Sequence, residues 1–128
     1  MLPISPQELA NEPTTKNLKM PPIADDIRQR AARIKLACFD VDGTLTDGRL
    51  FFDEQGRESK AFHVLDGQGL VLLRRCGIEV ALITARNSLV AQARGRDLGV
   101  QTFIHAKDKL AQVQQLRAQM QISLEQVA

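Results

Sequence analysis

The sequence predicts an α/β fold, a Rossmannoid parallel sheet with a β-hairpin inserted as a flap after the first strand. Three observations carry this. Apolar runs at Ile34–Phe39, Ile78–Thr84 and Val100–His105 alternate with segments of helical periodicity, the pattern of right-handed βαβ units. The first run leads directly into Asp40-Val41-Asp42-Gly43-Thr44, placing two carboxylates where open α/β sheets bind ligands. Between that strand and the next helix lie two short apolar stretches around Asp53-Glu54-Gln55-Gly56, a hairpin signature.

All five prolines fall within the first 22 residues, so residues 1–24 read as a mobile leader and 25–128 as the folded unit. Asp25 to Arg33 is predicted helical, with acidic residues at its start where the helix dipole favours them. Strand Lys35–Val41 follows. The hairpin flap spans 49–62, its arms Leu50-Phe51-Phe52 and Ser59–Phe62, with Gly56 taking positive φ at the turn. Asp66 is the expected N-cap of a helix that buries Leu70 and Leu73 and stops at Gly77. Ile78–Thr84 is the second strand. Asn87 or Ser88 caps the next helix, which ends near Gly99, and Val100–His105 is the third strand. A helix from about Lys107 to Met120 presents Leu110, Val113, Leu116 and Met120 on one face. Val127-Ala128 reads as the opening of a fourth strand, expected beside the first.

Composition narrows the function classes. The 128 residues suit one domain, and 44% hydrophobic content can supply its core. Aromatics are 4%, with no Trp or Tyr, and the formal charge is +2. Neither a base-stacking surface nor a polyanion-binding protein fits those values. Cys38 and Cys76 lack metal-ligand spacing, which suits a reducing compartment, and no apolar stretch is long enough to span a bilayer. No membrane or nucleic-acid partner is expected, and the cytoplasm is the expected location.

A carboxylate at a strand end can attack phosphorus and hold Mg²⁺, and a second one two residues on can donate and accept the proton. Gly43 permits a sharp turn whose N–H groups could face an anion.

These residues resemble the haloacid dehalogenase superfamily of phosphotransferases. Its first motif, D-x-D-G-[TV], is matched by Asp40 to Thr44. Its second, a hydroxyl residue closing the next strand, is matched by Thr84 in Leu82-Ile83-Thr84-Ala85-Arg86. Its third, a lysine near the start of a later helix, is best matched by Lys109, with Lys107 as competitor. From Arg33 to Ala128 the chain is most similar to the 3-deoxy-D-manno-octulosonate 8-phosphate phosphatase family, through D-V-D-G-T-L-T-D-G, the hairpin leading into Lys60-Ala61-Phe62, L-D-G-x-G-L at Leu65–Leu70, and I-T-A-R at Ile83–Arg86.

The resemblance implies a Mg²⁺-dependent phosphatase of lipopolysaccharide precursor synthesis that works through an aspartyl-phosphate. Catalysis falls to Asp40, Asp42, Thr84 and Lys109, with metal held by Asp40 and Asp42. Substrate contacts fall to Asp42, His63, Asp66, Gly67, Arg86, Arg94 and Lys109. The partners implied are a small sugar-acid phosphate and a homotetramer built through the hairpin, where Phe51, Phe52 and Phe62 are expected to be buried. Asp47 reads either as a turn cap or as a site residue, and His63 as a packing or flap residue rather than a base. His63 stands where the family commonly has asparagine, and Ala85 replaces a common glycine. The family's fourth motif, G-D-D-x-x-D, supplies an acidic metal ligand and would follow Val127-Ala128. The chain therefore reads as a C-terminally truncated member, for which little Mg²⁺-dependent hydrolysis is expected. Two other readings stand beside this one. One is a non-catalytic remnant or oligomerisation module. The other is a receiver-type phosphoacceptor, which fits poorly because His105-Ala106-Lys107 occupies the end of the third strand.

Overall fold

The structure, a computed structural model, describes residues 21–128. The leader expected over 1–24 lies mostly outside the described residues, and 21–24 carry no regular structure. The elements in chain order are α1 (Asp25–Ala32), β1 (Leu36–Phe39), β2 (Phe51–Phe52), β3 (Glu58–Ser59), α2 (Val64–Arg75), β4 (Glu79–Ile83), α3 (Leu89–Leu98), β5 (Gln101–Phe103), α4 (Lys109–Met120) and a 3₁₀ turn at Leu124–Gln126.

The sheet has the order β1-β4-β5 and is parallel throughout, with Leu36 opposite Glu79 and Ala81 opposite Gln101. Val127 forms a parallel bridge to Leu36 on the outer side of β1, and Ala128 exchanges backbone hydrogen bonds with Leu36 and Cys38 at 2.9 and 2.8 Å. The expected pairing of this segment beside the first strand is present. The strands are shorter than the apolar runs suggest, because pairing stops where the chain turns toward the loops above the sheet.

Alternation along β4 builds two half-cores. Val80 and Leu82 face α2 and α3 and pack with Val41, Leu70, Ala91 and Val100. Ala81 and Ile83 face α4 and pack with Leu36 and Leu116, with Val113 and Met120 at the margin. Leu110, expected on that face, is 67% exposed. It sits one residue into α4, in the first turn. The α1 helix forms as expected from its acidic start but buries none of its residues.

Helix termini explain most of the boundaries. The N-cap of α2 is His63, whose Nδ1 accepts from the Leu65 N–H at 3.1 Å. This corrects the expectation for Asp66, which lies inside the first turn and complements the dipole there. Ser88, rather than Asn87, caps α3 by accepting from Ala91 N–H, and Asp108 caps α4 by accepting from Ala111 N–H. Gly77 (φ +81°) follows the end of α2 and Gly99 (φ +66°) caps α3, both in the left-handed region glycine tolerates. No helix among the described residues is long and apolar enough to cross a membrane.

Candidate active site

The carboxyl end of β1 carries Asp40 and Asp42, and the two carboxylates are held differently. Asp40 Oδ1 accepts from the Val41 N–H at 2.8 Å and pairs with Lys109 Nζ at 2.7 Å. Among the described residues its Oδ2 has no hydrogen-bond partner, leaving one oxygen open. Both Asp42 oxygens are engaged: Oδ1 by the Lys60 ammonium, Oδ2 by the Thr84 hydroxyl at 3.4 Å. Thr84 closes β4 next to Asp42 because β1 and β4 pair in register. Lys109 opens α4 directly after its N-cap, so its side chain reaches back to the strand end. Of the two lysines at this helix start, Lys109 is the one on Asp40.

The turn after Asp42 is closed by its own hydrogen bonds. Gly43, at φ +82°, donates its N–H to Thr46 Oγ1 at 3.1 Å, while the N–H groups of Thr44 and Leu45 donate to Val41 O. The expectation that this turn aims free N–H groups at an anion is therefore corrected for these three residues. Asp47 caps the turn that follows. Its carboxylate accepts from the Arg49 backbone N–H and side-chain Nε, and these bonds hold it below the usual carboxylate range.

The hairpin pairs β2 antiparallel to β3, with Gly56 at φ +74° in the turn. Its return arm brings in charge that sequence reasoning missed. The Lys60 side chain is completely buried, between Asp42 and Glu58. Glu58 in turn accepts from Ser88 Oγ at 2.7 Å and from Arg86 at 3.1 and 3.2 Å. Burial opposes ionisation of Glu58, but the Ser88 hydrogen bond and the Lys60 and Arg86 charges outweigh it and hold the carboxyl below its ordinary range. A signal existed in the sequence. Glu58 and Lys60 flank Ser59 at a spacing of two, which puts both on one side of an extended arm.

A carboxyl whose folded pKa is depressed stabilises the fold above its unfolded value, about 4.3 for Glu. That contribution is lost as pH falls through the folded value. Glu58→Gln is expected to flatten the acid limb of a plot of melting temperature against pH. Parallel curves for parent and variant below pH ~5 would remove Glu58 from the acid response.

Substrate candidates divide into two groups. Arg86 sits on Glu58, beside the aspartate cluster. His63, Asp66, Gly67 and Arg94 instead line a narrow cavity with Leu45 and Phe62. There Arg94 donates to His63 O at 3.4 Å, pairs with Asp97 at 2.8 Å, and lies 5.5 Å above the Phe62 ring. A Cβ at Gly67 would displace the Arg94 guanidinium, the far end of a flexible side chain, and meet Leu98 at 3.1 Å. Phe62 is half-buried, packed against the core of its own chain. Phe51 and Phe52 remain 53% and 57% exposed. Cys38 and Cys76 are free thiols, and burial pushes the Cys38 thiol up.

No protein-family model matches the chain. A curated relative, the 3-deoxy-D-manno-octulosonate 8-phosphate phosphatase KdsC of Yersinia pestis, is 43% identical over 108 residues, covering 84% of this chain and 58% of that protein. The crystal structure of a hypothetical protein from Xanthomonas campestris is 55% identical with a TM-score of 0.79, covering 88% of this chain and 59% of that one. The 3-deoxy-D-manno-octulosonate 8-phosphate phosphatase of Moraxella catarrhalis, solved with a magnesium ion, a phosphate ion and KDO, is 38% identical with a TM-score of 0.77. It is covered over 61% of its length, and this chain over 82%. The chain thus spans less than two thirds of the relatives it matches.

Proposed function

The chain is a homologue of the 3-deoxy-D-manno-octulosonate 8-phosphate phosphatases with the haloacid dehalogenase-like fold, and on that premise we propose that it is a Mg²⁺-dependent phosphomonoesterase acting on 3-deoxy-D-manno-octulosonate 8-phosphate. In this reading it serves lipopolysaccharide precursor synthesis in the cytoplasm. The observation that carries it is the unequal holding of two carboxylates at one strand end: Asp40 with an open oxygen, Asp42 with both oxygens engaged.

The donors at this strand end are carboxylate and carbonyl oxygens. Such hard ligands suit Mg²⁺, which binds proteins through one or two carboxylates and keeps several waters. Among the described residues there is no group of three or more His, Cys, Asp or Glu able to hold a metal ion. The Asp40 carboxylate and the Asp42 backbone carbonyl would hold the ion, which when bound supplies neutralisation of phosphate charge.

Asp40 Oδ2 attacks phosphorus, and the bond to the sugar oxygen breaks, giving an aspartyl-phosphate. Asp42, entering the step in its protonated form, hands that proton to the departing alkoxide, and the carboxylate left behind takes a proton back from the water that cleaves the acyl phosphate. Lys109, already on Asp40, stabilises charge gathering on the phosphoryl oxygens, and the Thr84 hydroxyl orients that group. Arg86 would bind the sugar acid on leaving Glu58, while His63, Asp66, Gly67 and Arg94 shape the adjoining wall. The test is phosphate release from 3-deoxy-D-manno-octulosonate 8-phosphate beside a panel of other sugar phosphates, with and without Mg²⁺. Equal rates across the panel would remove the substrate assignment, and equal rates with chelator would remove the metal.

The exposed rings of Phe51 and Phe52 support a homo-oligomer, a tetramer in this proposal, assembled through the hairpin. Replacing both by serine is expected to lower the mass seen in light scattering to that of a monomer. An unchanged mass would place the contact elsewhere.

A further inference from the structure

We infer that Lys60 is a positioning residue, a clamp that reserves the Asp42 carboxylate for proton transfer and withholds it from the metal. The inference rests on the phosphatase reading above. Two aspartates at one strand end present similar oxygens to a divalent cation, so something must assign them different tasks. The local sequence does not, since both belong to one turn. Lys60 comes from the hairpin's return arm, 18 residues away, and its ammonium contacts Asp42 Oδ1 with no exposure to solvent. Thr84 occupies Oδ2. An oxygen already facing a buried ammonium is poorly placed to ligate a second cation, because the two positive charges would share it in a shielded site. Asp40 differs. Its lysine, Lys109, is 42% exposed and on a flexible stem, and the Asp40 Oδ2 stays open.

Glu58 completes the device. It lies 3.5 Å from Lys60 and is itself fixed by Ser88 and Arg86, the residues that lead from β4 into α3. The ammonium therefore has a carboxylate on either side and cannot swing toward the phosphate side without leaving one unpaired, which is costly in a buried site. The hairpin thus does more than offer phenylalanines to another copy: its inner arm sets the division of labour between the two aspartates of its own chain.

The test is Mn²⁺ binding, followed by electron paramagnetic resonance, for the parent and for Lys60→Met, with a thermal melt to establish that each is folded. Loosening a site by structural damage weakens metal binding, whereas releasing the Asp42 carboxylate strengthens it. Lys60→Met is expected to bind Mn²⁺ about tenfold or more tightly, the scale of one unit charge a few ångströms from the ion. Asp42→Asn in the Lys60→Met background is expected to remove the gain. Lys60→Gln, whose amide can still donate to both carboxylates, serves if the methionine variant does not fold and is expected to show a smaller gain. Mn²⁺ bound by the parent with no gain in either folded variant would overturn the clamp and leave the phosphatase reading standing. No Mn²⁺ bound by the parent or the variants would overturn both.

Discussion

Asp40→Asn is expected to abolish both phosphoenzyme formation and phosphate release, by roughly a thousandfold or more, the scale seen when a covalent nucleophile is lost. The amide keeps the size of the side chain and can still accept from the Val41 N–H, so the fold at the end of β1 should persist. What is lost is the open Oδ2 as a nucleophile and the charge opposite Lys109. Asp42→Asn is expected to behave differently, slowing leaving-group departure and hydrolysis of the acyl phosphate without removing the attacking oxygen. Trapping radiolabelled phosphate on acid-quenched protein separates the two. Parent-like turnover in Asp40→Asn would rule out an aspartyl-phosphate on this residue. Label retained in that variant would move the nucleophile to another side chain.

How much of this was readable before the structure depends on how far apart in sequence the interacting groups lie. The sheet was legible because β1 and β4 are largely buried apolar runs, whose burial on both faces leaves a local trace, while β5 was readable only from the apolar residues around its half-buried Thr102 and Phe103. That Asp40, Asp42, Thr84 and Lys109 come together was legible because each lies at or just beyond the end of a regular element, and parallel pairing carries those ends to one end of the sheet. The start of α2 was misread for a different reason. Asp66 is the commoner capping type, but the imidazole of His63 accepts the same bond one turn earlier. The contacts of Phe62 with the Arg94 guanidinium and the core were not legible either, because Arg94 lies on α3, far along the chain. The contacts of Lys60 and Glu58 escaped notice because their partners are 18 to 30 residues distant. A lysine on a hairpin arm reads as solvated until the arm is folded down, and only tertiary structure reveals that its ammonium is enclosed.

The other large effect concerns how firmly this strand end can hold Mg²⁺. Among the described residues, the donors available to the ion are the Asp40 carboxylate, whose Oδ1 must be shared with Lys109 if Oδ2 is to attack, and neutral carbonyl oxygens, since the Asp42 carboxylate is committed to Lys60 and Thr84. Water must fill the remaining positions of the near-octahedral shell, and water brings no negative charge. Lys109 adds to the difficulty by standing on the same Asp40 carboxylate that the ion needs. In the family that the chain resembles, a further carboxylate comes from a Gly-Asp-Asp segment expected directly after Val127-Ala128. That segment would emerge beside β1, because Val127 and Ala128 already pair with Leu36 and Cys38. Such a carboxylate would face the same edge as Asp40 and supply the missing charge. A polypeptide of residues 1–128 by itself is therefore expected to release phosphate from 3-deoxy-D-manno-octulosonate 8-phosphate at least about tenfold more slowly, in millimolar Mg²⁺, than a form lengthened by that segment, one unit charge at the ion accounting for a difference of this order. The gap should narrow as Mg²⁺ is raised, because the defect is one of affinity. Comparable rates from the two forms at low Mg²⁺ would show that the oxygens already present at the end of β1 suffice. A gap that persists at saturating Mg²⁺ would locate the defect in the chemistry instead of in metal binding.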